Sequence, residues 1–395
     1  MSCEIDQGME ARLESQLQNI DEGSVKQELR RILLRFSELW RDDSMGRTSV
    51  IRHAIHVISN RPIACRCRKY SEEQKKIIET EVKSMLEKGV VRPSESPYAS
   101  GIVLVKKKTG EWRFCIDYSP LNKITLKDEF PLPRIDDLLR TVRGSKWFIA
   151  LDMRAGYWQV AMETKDIPKT AFKTPNGLFE FTVMPFGLVN APATFQRMVE
   201  QLFGDLCWDG VLVYLDDIFI HAPELERVLQ LLTIVLSRLQ RAGLRLRLSK
   251  CSFLPTQIEY LGHVIQEGKL APQPKKIEAF KVLTSPVDKT TLRQALGMFG
   301  YYRSFIPNYA ALTIPLTRLM KGKAEFVWGT EQETAFLQLK DKLGKAVLSN
   351  EWQEGEIIVE TDASDYAVAG VLSFDKEGMI VPVEFMKRRR LSRLS

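Results

Sequence analysis

The chain has 395 residues, enough for more than one domain, and its 44% hydrophobic and 27% charged residues match a globular protein rather than a fibrous or disordered one. No apolar run approaches the length of a membrane span, and the opening Met1-Ser2-Cys3-Glu4-Ile5-Asp6 lacks the basic and apolar regions of a signal peptide. The net charge of +7 suits a polyanionic partner, and six scattered cysteines, with one lone Cys65-Arg66-Cys67, fit reduced thiols inside a cell better than a disulfide framework or a zinc site.

Residues 1–52 read as a charged N-terminal extension with a helix over residues 25–40, where Leu29, Ile32, Leu33 and Phe36 share one face. Ser71 opens a second helix. Gln74 completes a capping box, Ile78, Val82, Met85 and Leu86 make the apolar stripe, and Gly89 ends it. Ile102-Val103-Leu104-Val105 and the run Trp112 to Ile116 predict a β-hairpin with Lys106, Lys107 and Lys108 near its tip. Strand alternation puts Lys107 on the face opposite its neighbours. Such a turn, taken by itself, suits a solvated guard on a sheet edge.

Trp147-Phe148-Ile149-Ala150-Leu151 is an apolar strand that stops at Asp152. A carboxylate there is either a helix cap or part of a site at a strand end. Residues 193–203 predict a helix. Next, Val211-Leu212-Val213-Tyr214-Leu215 and Ile218-Phe219-Ile220 predict two strands joined by an Asp216-Asp217 turn. Adjacent carboxylates repel and are costly to bury unless a cation compensates, so a divalent ion is their natural partner. A solvated acidic turn is the plainer alternative.

A long amphipathic helix follows over residues 224–242, ending at Gly243. Strand, helix, hairpin, helix is the layout of a split βαβ sheet with helices on one face. The basic stretch Arg241 to Arg247 is either a solvated face or a contact for backbone phosphates. Helices are predicted over residues 275–283, 291–304 and 309–320, separated by Pro286 and Pro307, and again over 331–343. Three short strands, 357–360, 368–374 and 380–385, close the chain, the last two joined by Asp375-Lys376-Glu377-Gly378.

Taken in order, these blocks resemble the reverse transcriptases of gypsy-like long-terminal-repeat retrotransposons. The resemblance runs from about His53 to about Phe374. It is carried by Leu151-Asp152-Met153-Arg154-Ala155-Gly156-Tyr157-Trp158-Gln159 and Tyr214-Leu215-Asp216-Asp217. It also rests on Trp112-Arg113-Phe114-Cys115-Ile116-Asp117-Tyr118, Met184-Pro185-Phe186-Gly187-Leu188 and Tyr260-Leu261-Gly262-His263. Many ordered blocks in one chain are far more specific than any single motif.

The resemblance implies an α+β right-hand polymerase. Fingers and a ferredoxin-like palm would span residues 53–268 and a helical thumb 269–322. A connection with a truncated ribonuclease H-like β-meander would span 323–395. It implies an RNA-directed DNA polymerase using two Mg²⁺ ions, with Mn²⁺ as a substitute, held by Asp152, Asp216 and Asp217. Asp152 and Asp216 are expected to bridge both ions, with Asp217 more peripheral. Lys107 and Arg113 match the positions that bind the triphosphate. Tyr157 is expected beside the sugar, unless it is a core aromatic. Phe186 lines the nucleotide site or sits in the core. Leu261 and Gly262 match the primer-contacting hairpin. The implied partners are an RNA or DNA template with its primer and deoxynucleoside triphosphates, with no membrane, in the cytoplasm or nucleus.

The match is incomplete in places. Ser119 stands where the family usually has Arg after Asp-Tyr, which is expected to loosen the grip on the triphosphate. Thr361-Asp362-Ala363-Ser364 resembles the start of a ribonuclease H domain, but Glu384 falls within the third strand and is not the family's next ligand. Ribonuclease H cleavage is therefore not expected, and the tail reads as a truncation or an altered reading frame. No Asp-Thr-Gly or Asp-Ser-Gly triplet of a protease occurs. The rival reading is an inactive retroelement relic that only binds nucleic acid or protein.

Overall fold

The computed structural model describes residues 7–20, 23–42, 45–59, 61–66, 68–106, 110–142, 144–266, 269–322, 325–345, 348–349, 357–363, 367–376 and 379–389. They fall into two compact units, one of residues 1–141 and 147–255, the other of 142–146 and 256–395.

At the centre of the first unit is a four-stranded antiparallel sheet. Its order is Ser252–Phe253, Trp147–Asp152, Asp217–Ala222, Val211–Tyr214. Side chains alternate across a strand, and both faces of this sheet are apolar. Ile149, Leu151, Val211, Val213, Ile218 and Ile220 join one buried cluster with the helices Ala191–Phe203 and Leu225–Arg241. Phe148 and Phe219 stack on the opposite face with ring centroids 5.9 Å apart. That is why the strands read as unbroken greasy runs rather than alternating ones. The helix Leu225–Arg241 buries Val228, Leu231, Leu232, Val235, Leu236 and Leu239, each worth roughly 1.5–3 kcal/mol when removed from water.

The hairpin turn differs from the sequence expectation. Asp216-Asp217 is not the turn. Tyr214 pairs with Asp217, and Leu215-Asp216 form the two-residue connection. Leu215 has φ +54°, the left-handed region that two-residue hairpin turns require. Nothing in the local sequence marks a leucine for that role, so the register shifts by one residue.

The N-terminal segment contributes core as well as charge. Its helices Gln7–Leu17 and Gly23–Arg35 are followed by a single turn, Ser37–Trp40. Leu13, Leu17, Leu29, Leu33 and Trp40 belong to the same buried cluster as the sheet, and Trp40 meets Phe253 edge-on at 6.3 Å. The expected capping box is present: Ser71 Oγ accepts from the Gln74 N–H, and Gln74 Oε1 accepts from the Ser71 N–H, at the head of Glu72–Glu87. Gly101–Lys106 and Trp112–Asp117 form the predicted hairpin.

In the second unit, Gln257–Tyr260, His263–Gln266, Lys269–Pro272 and Leu348–Ser349 form an antiparallel sheet. The helices are Pro274–Lys281, Lys289–Tyr301, Tyr309–Leu312, Ile314–Leu319 and Thr330–Gly344. The predicted helix over 309–320 divides at Thr313, because Pro315 has no N–H to continue the ladder. Phe280, Phe299 and Phe336 form a ring cluster that ties three of these helices together. The three predicted strands are Ile357–Ala363, Ala367–Lys376 and Met379–Arg389, an antiparallel meander. Among the described residues no helix is long and apolar enough to cross a membrane.

Candidate active site

Asp152 ends its strand, Asp217 begins the adjacent one, and the two are direct partners across the pair. Opposed residues project from the same face, so both carboxylates stand on the side of the sheet that carries Phe148 and Phe219. Asp216 occupies the last turn position before them. Its Oδ1 is buried and meets no hydrogen-bond donor. Burial first, then the charges of Asp217 and Asp152, pushes the Asp216 carboxyl up to about 6. Burial and Asp152 raise Asp217 in the same direction.

Two residues that the sequence did not single out complete this corner. Lys250 Nζ donates to Asp152 Oδ2 at 3.3 Å and counteracts the rise on both neighbouring aspartates. Gly156 lets Asp216 come close. A Cβ there would stand 2.8 Å from Asp216 Oδ1 and 3.0 Å from the Phe195 ring. Gly156 was visible only as part of a motif, and Lys250 lies 98 residues from Asp152, a separation that no local pattern bridges.

The loop after Asp152 is fixed from behind by Gln159. Its Nε2 donates to the carbonyls of Arg154 and Arg245, and its Oε1 accepts from the Arg245 N–H. The Arg247 N–H donates to the Asp152 carbonyl at 2.9 Å. Part of the basic stretch 241–247 is therefore committed to the fold, and Arg245 also pairs with Glu38.

Tyr157 is 9% exposed and stacks on Phe186 at 5.1 Å with an interplanar angle of 27°. Burial, with the nearby Asp216 charge, pushes its hydroxyl up to about 12. Phe186 is 43% exposed, so it is not a core residue. The pair forms an aromatic step whose outer ring faces solvent and whose inner ring feels the Asp216 carboxylate. Arg113 is exposed on the hairpin strand Trp112–Asp117, opposite Val105. Lys107 and Lys108 lie outside the described residues, while Lys106 sits over the Trp112 ring. Ser119 opens the short helix Ser119–Ile124 and donates its N–H to Asp117 Oδ1, whose other oxygen accepts from Arg68. Leu261 and Gly262 form a turn in the second unit. Asp362 lies on the strand Ile357–Ala363.

Among the described residues no three His, Cys, Asp or Glu side chains close a ready-made metal cage. A hard cation such as Mg²⁺ does not need one, because it takes one or two carboxylates and fills its shell with phosphate oxygens and water. The donors here are all oxygen, and a buried carboxylate oxygen without a hydrogen-bond partner is held among negative charges. These residues fit a divalent cation.

A family model described as reverse transcriptase (RNA-dependent DNA polymerase) matches residues 105–265, and one described as an RNase H-like domain found in reverse transcriptase matches residues 328–392. The chain is 34% identical over 351 residues to the retrovirus-related Pol polyprotein from transposon 297 of Drosophila melanogaster, covering 86% of this chain and 32% of that protein. It is 34% identical over 367 residues to the one from transposon opus of the same species, covering 87% and 36%. Over 294 residues it is 35% identical to the Transposon Tf2-3 polyprotein of Schizosaccharomyces pombe, covering 74% and 22%. The chain thus spans about a third or less of the length of these curated relatives.

Among solved structures, the foamy viral protease-reverse transcriptase in complex with double-stranded DNA superposes with a TM-score of 0.83 at 22% identity, covering 99% of this chain and 70% of that one. The same viral protein in complex with an RNA/DNA hybrid gives 0.77 at 21% identity, covering 99% and 54%. The fold is that of a right-hand polymerase, and residues 105–265 form a reverse transcriptase domain in a chain similar to the Pol polyproteins of gypsy-like retrotransposons.

Proposed function

We propose that this chain is an RNA-directed DNA polymerase that extends a primer with deoxynucleotides on an RNA or DNA template. The observation that carries the proposal is the Asp152–Asp217 pairing beside the buried, undonated oxygen of Asp216. The reverse transcriptase fold is generally divalent-metal dependent, and Mg²⁺, with Mn²⁺ as a substitute, fits the oxygen-only donors. Two such ions, when bound, supply charge compensation at the attacking 3′-oxygen and at the leaving pyrophosphate. Asp152, Asp216 and Asp217 are the residues that would hold them.

The chain's own side chains account for the remaining tasks. Tyr157, backed by Phe195 and capped by Phe186, offers a rigid ring against C2′ of the incoming sugar, where a 2′-hydroxyl would clash. Arg113, with Lys107, neutralises the triphosphate from the hairpin, Arg by gripping two oxygens and Lys as a mobile point charge. Leu261 and Gly262 meet the primer backbone, which a polymerase must hold by shape and phosphate because it accepts every sequence. A cytoplasmic or nuclear setting accords with these substrates.

The test is extension of a DNA primer on an RNA template by the purified chain with Mg²⁺ and deoxynucleoside triphosphates. Extension that EDTA abolishes is expected. Tight binding of template–primer with no extension under any divalent metal would overturn the polymerase and leave an inactive nucleic-acid-binding relic.

A further inference from the structure

The Leu261-Gly262 turn joins Gln257–Tyr260 to His263–Gln266, with Tyr260 and His263 as its flanking pair. Both turn residues have positive φ, 46° and 73°, the pattern of a type I′ turn. Glycine adopts that backbone freely, whereas leucine is strained in it. Strain of this kind persists only where the surroundings over-determine it.

Here they do. The Tyr301 hydroxyl donates to the Leu261 carbonyl at 2.7 Å. His263 Nδ1 lies 2.7 Å from the same oxygen, which requires the Nδ1–H tautomer, since a carbonyl can only accept. The Tyr302 hydroxyl donates to the Gly262 carbonyl at 3.0 Å, and the Gln273 N–H donates to it at 3.1 Å. Two turn carbonyls therefore receive four donors. His263 is 2% exposed, and its ring stacks on Phe305 at 5.3 Å and on Tyr301 at 5.7 Å. Burial, with Tyr301 beside it, pushes the Tyr302 hydroxyl up to about 12, so it stays a donor at working pH. A hairpin turn at a surface would satisfy these carbonyls with water. Nothing in its folding requires two phenols from the end of the helix Lys289–Tyr301.

We propose that Tyr301 and Tyr302 are positioning residues for the primer, drawing both turn carbonyls onto the helix so that the turn meets the primer phosphates with its amide edge. A carbonyl oxygen turned toward a phosphodiester would repel it, whereas an N–H attracts it. This rests on the reading of Leu261 and Gly262 as primer contacts. It makes the grip on the primer depend on two hydroxyls remote in sequence from every motif residue.

The test uses the double variant Tyr301→Phe/Tyr302→Phe, which keeps both rings and their stacking. Three quantities are compared with wild type on an RNA template annealed to a DNA primer. They are the dissociation rate of the complex, the product length from a single binding event under a heparin trap, and KM for one deoxynucleotide. Dissociation about tenfold faster is expected, the loss of roughly one good contact. Products should shorten accordingly, with KM unchanged within about twofold and the thermal midpoint preserved. Dissociation and product length equal to wild type would overturn the proposal, as would a change in KM alone. If wild type binds but does not extend the primer, the polymerase reading fails, and the dissociation rates alone decide the role of the tyrosines. If wild type does not bind template–primer, both fall.

Discussion

Asp152 and Asp217 are cross-strand partners at the joint end of two strands, one the last residue of its strand and the other the first. The pairing places two carboxylates side by side on the face of the sheet that carries Phe148 and Phe219. It is tolerable because the carboxylates lie where the strands stop, with Lys250 on Asp152. The neighbouring Asp216 is left with a buried oxygen that no protein group satisfies. A structure that only needed a turn would have no use for this corner.

Asp216→Asn is expected to lower metal-dependent primer extension by at least about 10²-fold, the scale on which one lost transition-state charge contact registers. The same change should make the EDTA-treated protein more stable at pH 7, by ~1–2 kcal/mol, because it removes a buried charge whose ionisation opposes folding above pH 6. Extension assays and urea denaturation measure the two effects. A variant that extends at the wild-type rate would remove Asp216 from the site.

Gly156→Ala should cost activity without touching a charge. Its methyl group would meet Asp216 Oδ1 at 2.8 Å and the Phe195 ring at 3.0 Å, so the carboxylate has to move. A fall of about tenfold or more in kcat is expected, since a displacement of about 1 Å at a reacting centre is felt strongly. The overpacking should cost ~1–3 kcal/mol of stability. Pre-steady-state incorporation, compared with the thermal midpoint, separates the two.

Tyr157→Ala should raise incorporation of ribonucleotides relative to deoxynucleotides by about tenfold or more, a typical yield for a steric discriminator. The exposed Phe186 ring will lose its stacking partner and become mobile. The ratio of kcat/KM for the two sugars is the measurement, and an unchanged ratio would return Tyr157 to a purely packing role.

Acid should unfold this protein through its histidines. Burial pushes both His53 and His221 down to about 4 from an ordinary value of 6.5. The unfolded chain therefore binds more protons than the folded one between those limits. The stability these neutral rings contribute is present above about pH 6.5 and lost as pH falls toward 4, by ~2–3 kcal/mol for each. Asp216, with its raised value, acts in the opposite sense, losing stability as pH rises from about 4 to 6. Asp217, raised in the same direction, acts with Asp216, but the large downward shifts of the two histidines outweigh these two carboxylates, so a net loss on acidification is expected. Urea midpoints between pH 4.5 and 7 test this, and His221→Leu should flatten the slope.

Trp40→Ala should destabilise the first unit by ~3–5 kcal/mol, the usual cost of deleting a fully buried large aromatic. The ring is 1% exposed, packs edge-on against Phe253 and donates its Nε1–H to the Leu33 carbonyl at 3.0 Å. A change under 1 kcal/mol by chemical denaturation would mean that the N-terminal helices are dispensable.

Much of this molecule was determined locally and could be read locally. The capping box at Ser71, the hairpin strands around Val105 and Trp112, the helix that ends at Gly243 and the three closing strands all follow from capping chemistry, periodicity and turn residues acting within a few positions. The same holds for Asp152, Asp216 and Asp217 as candidates, because a carboxylate interrupting an apolar strand is conspicuous in any single sequence. What only the tertiary structure decided is which residues meet. The one-residue shift that made Leu215-Asp216 the turn depends on pairing with a strand over 60 positions earlier, and it sets Asp217 opposite Asp152. Lys250, the close approach of Gly156 to Asp216 and the Tyr301–Tyr302 clasp on Leu261-Gly262 are likewise not legible in the sequence, since these are contacts between distant positions. Local propensity fixes an element's kind within a few residues. Register, burial and close approach are settled only when the apolar faces pack and the chain's remote parts compete for the same space.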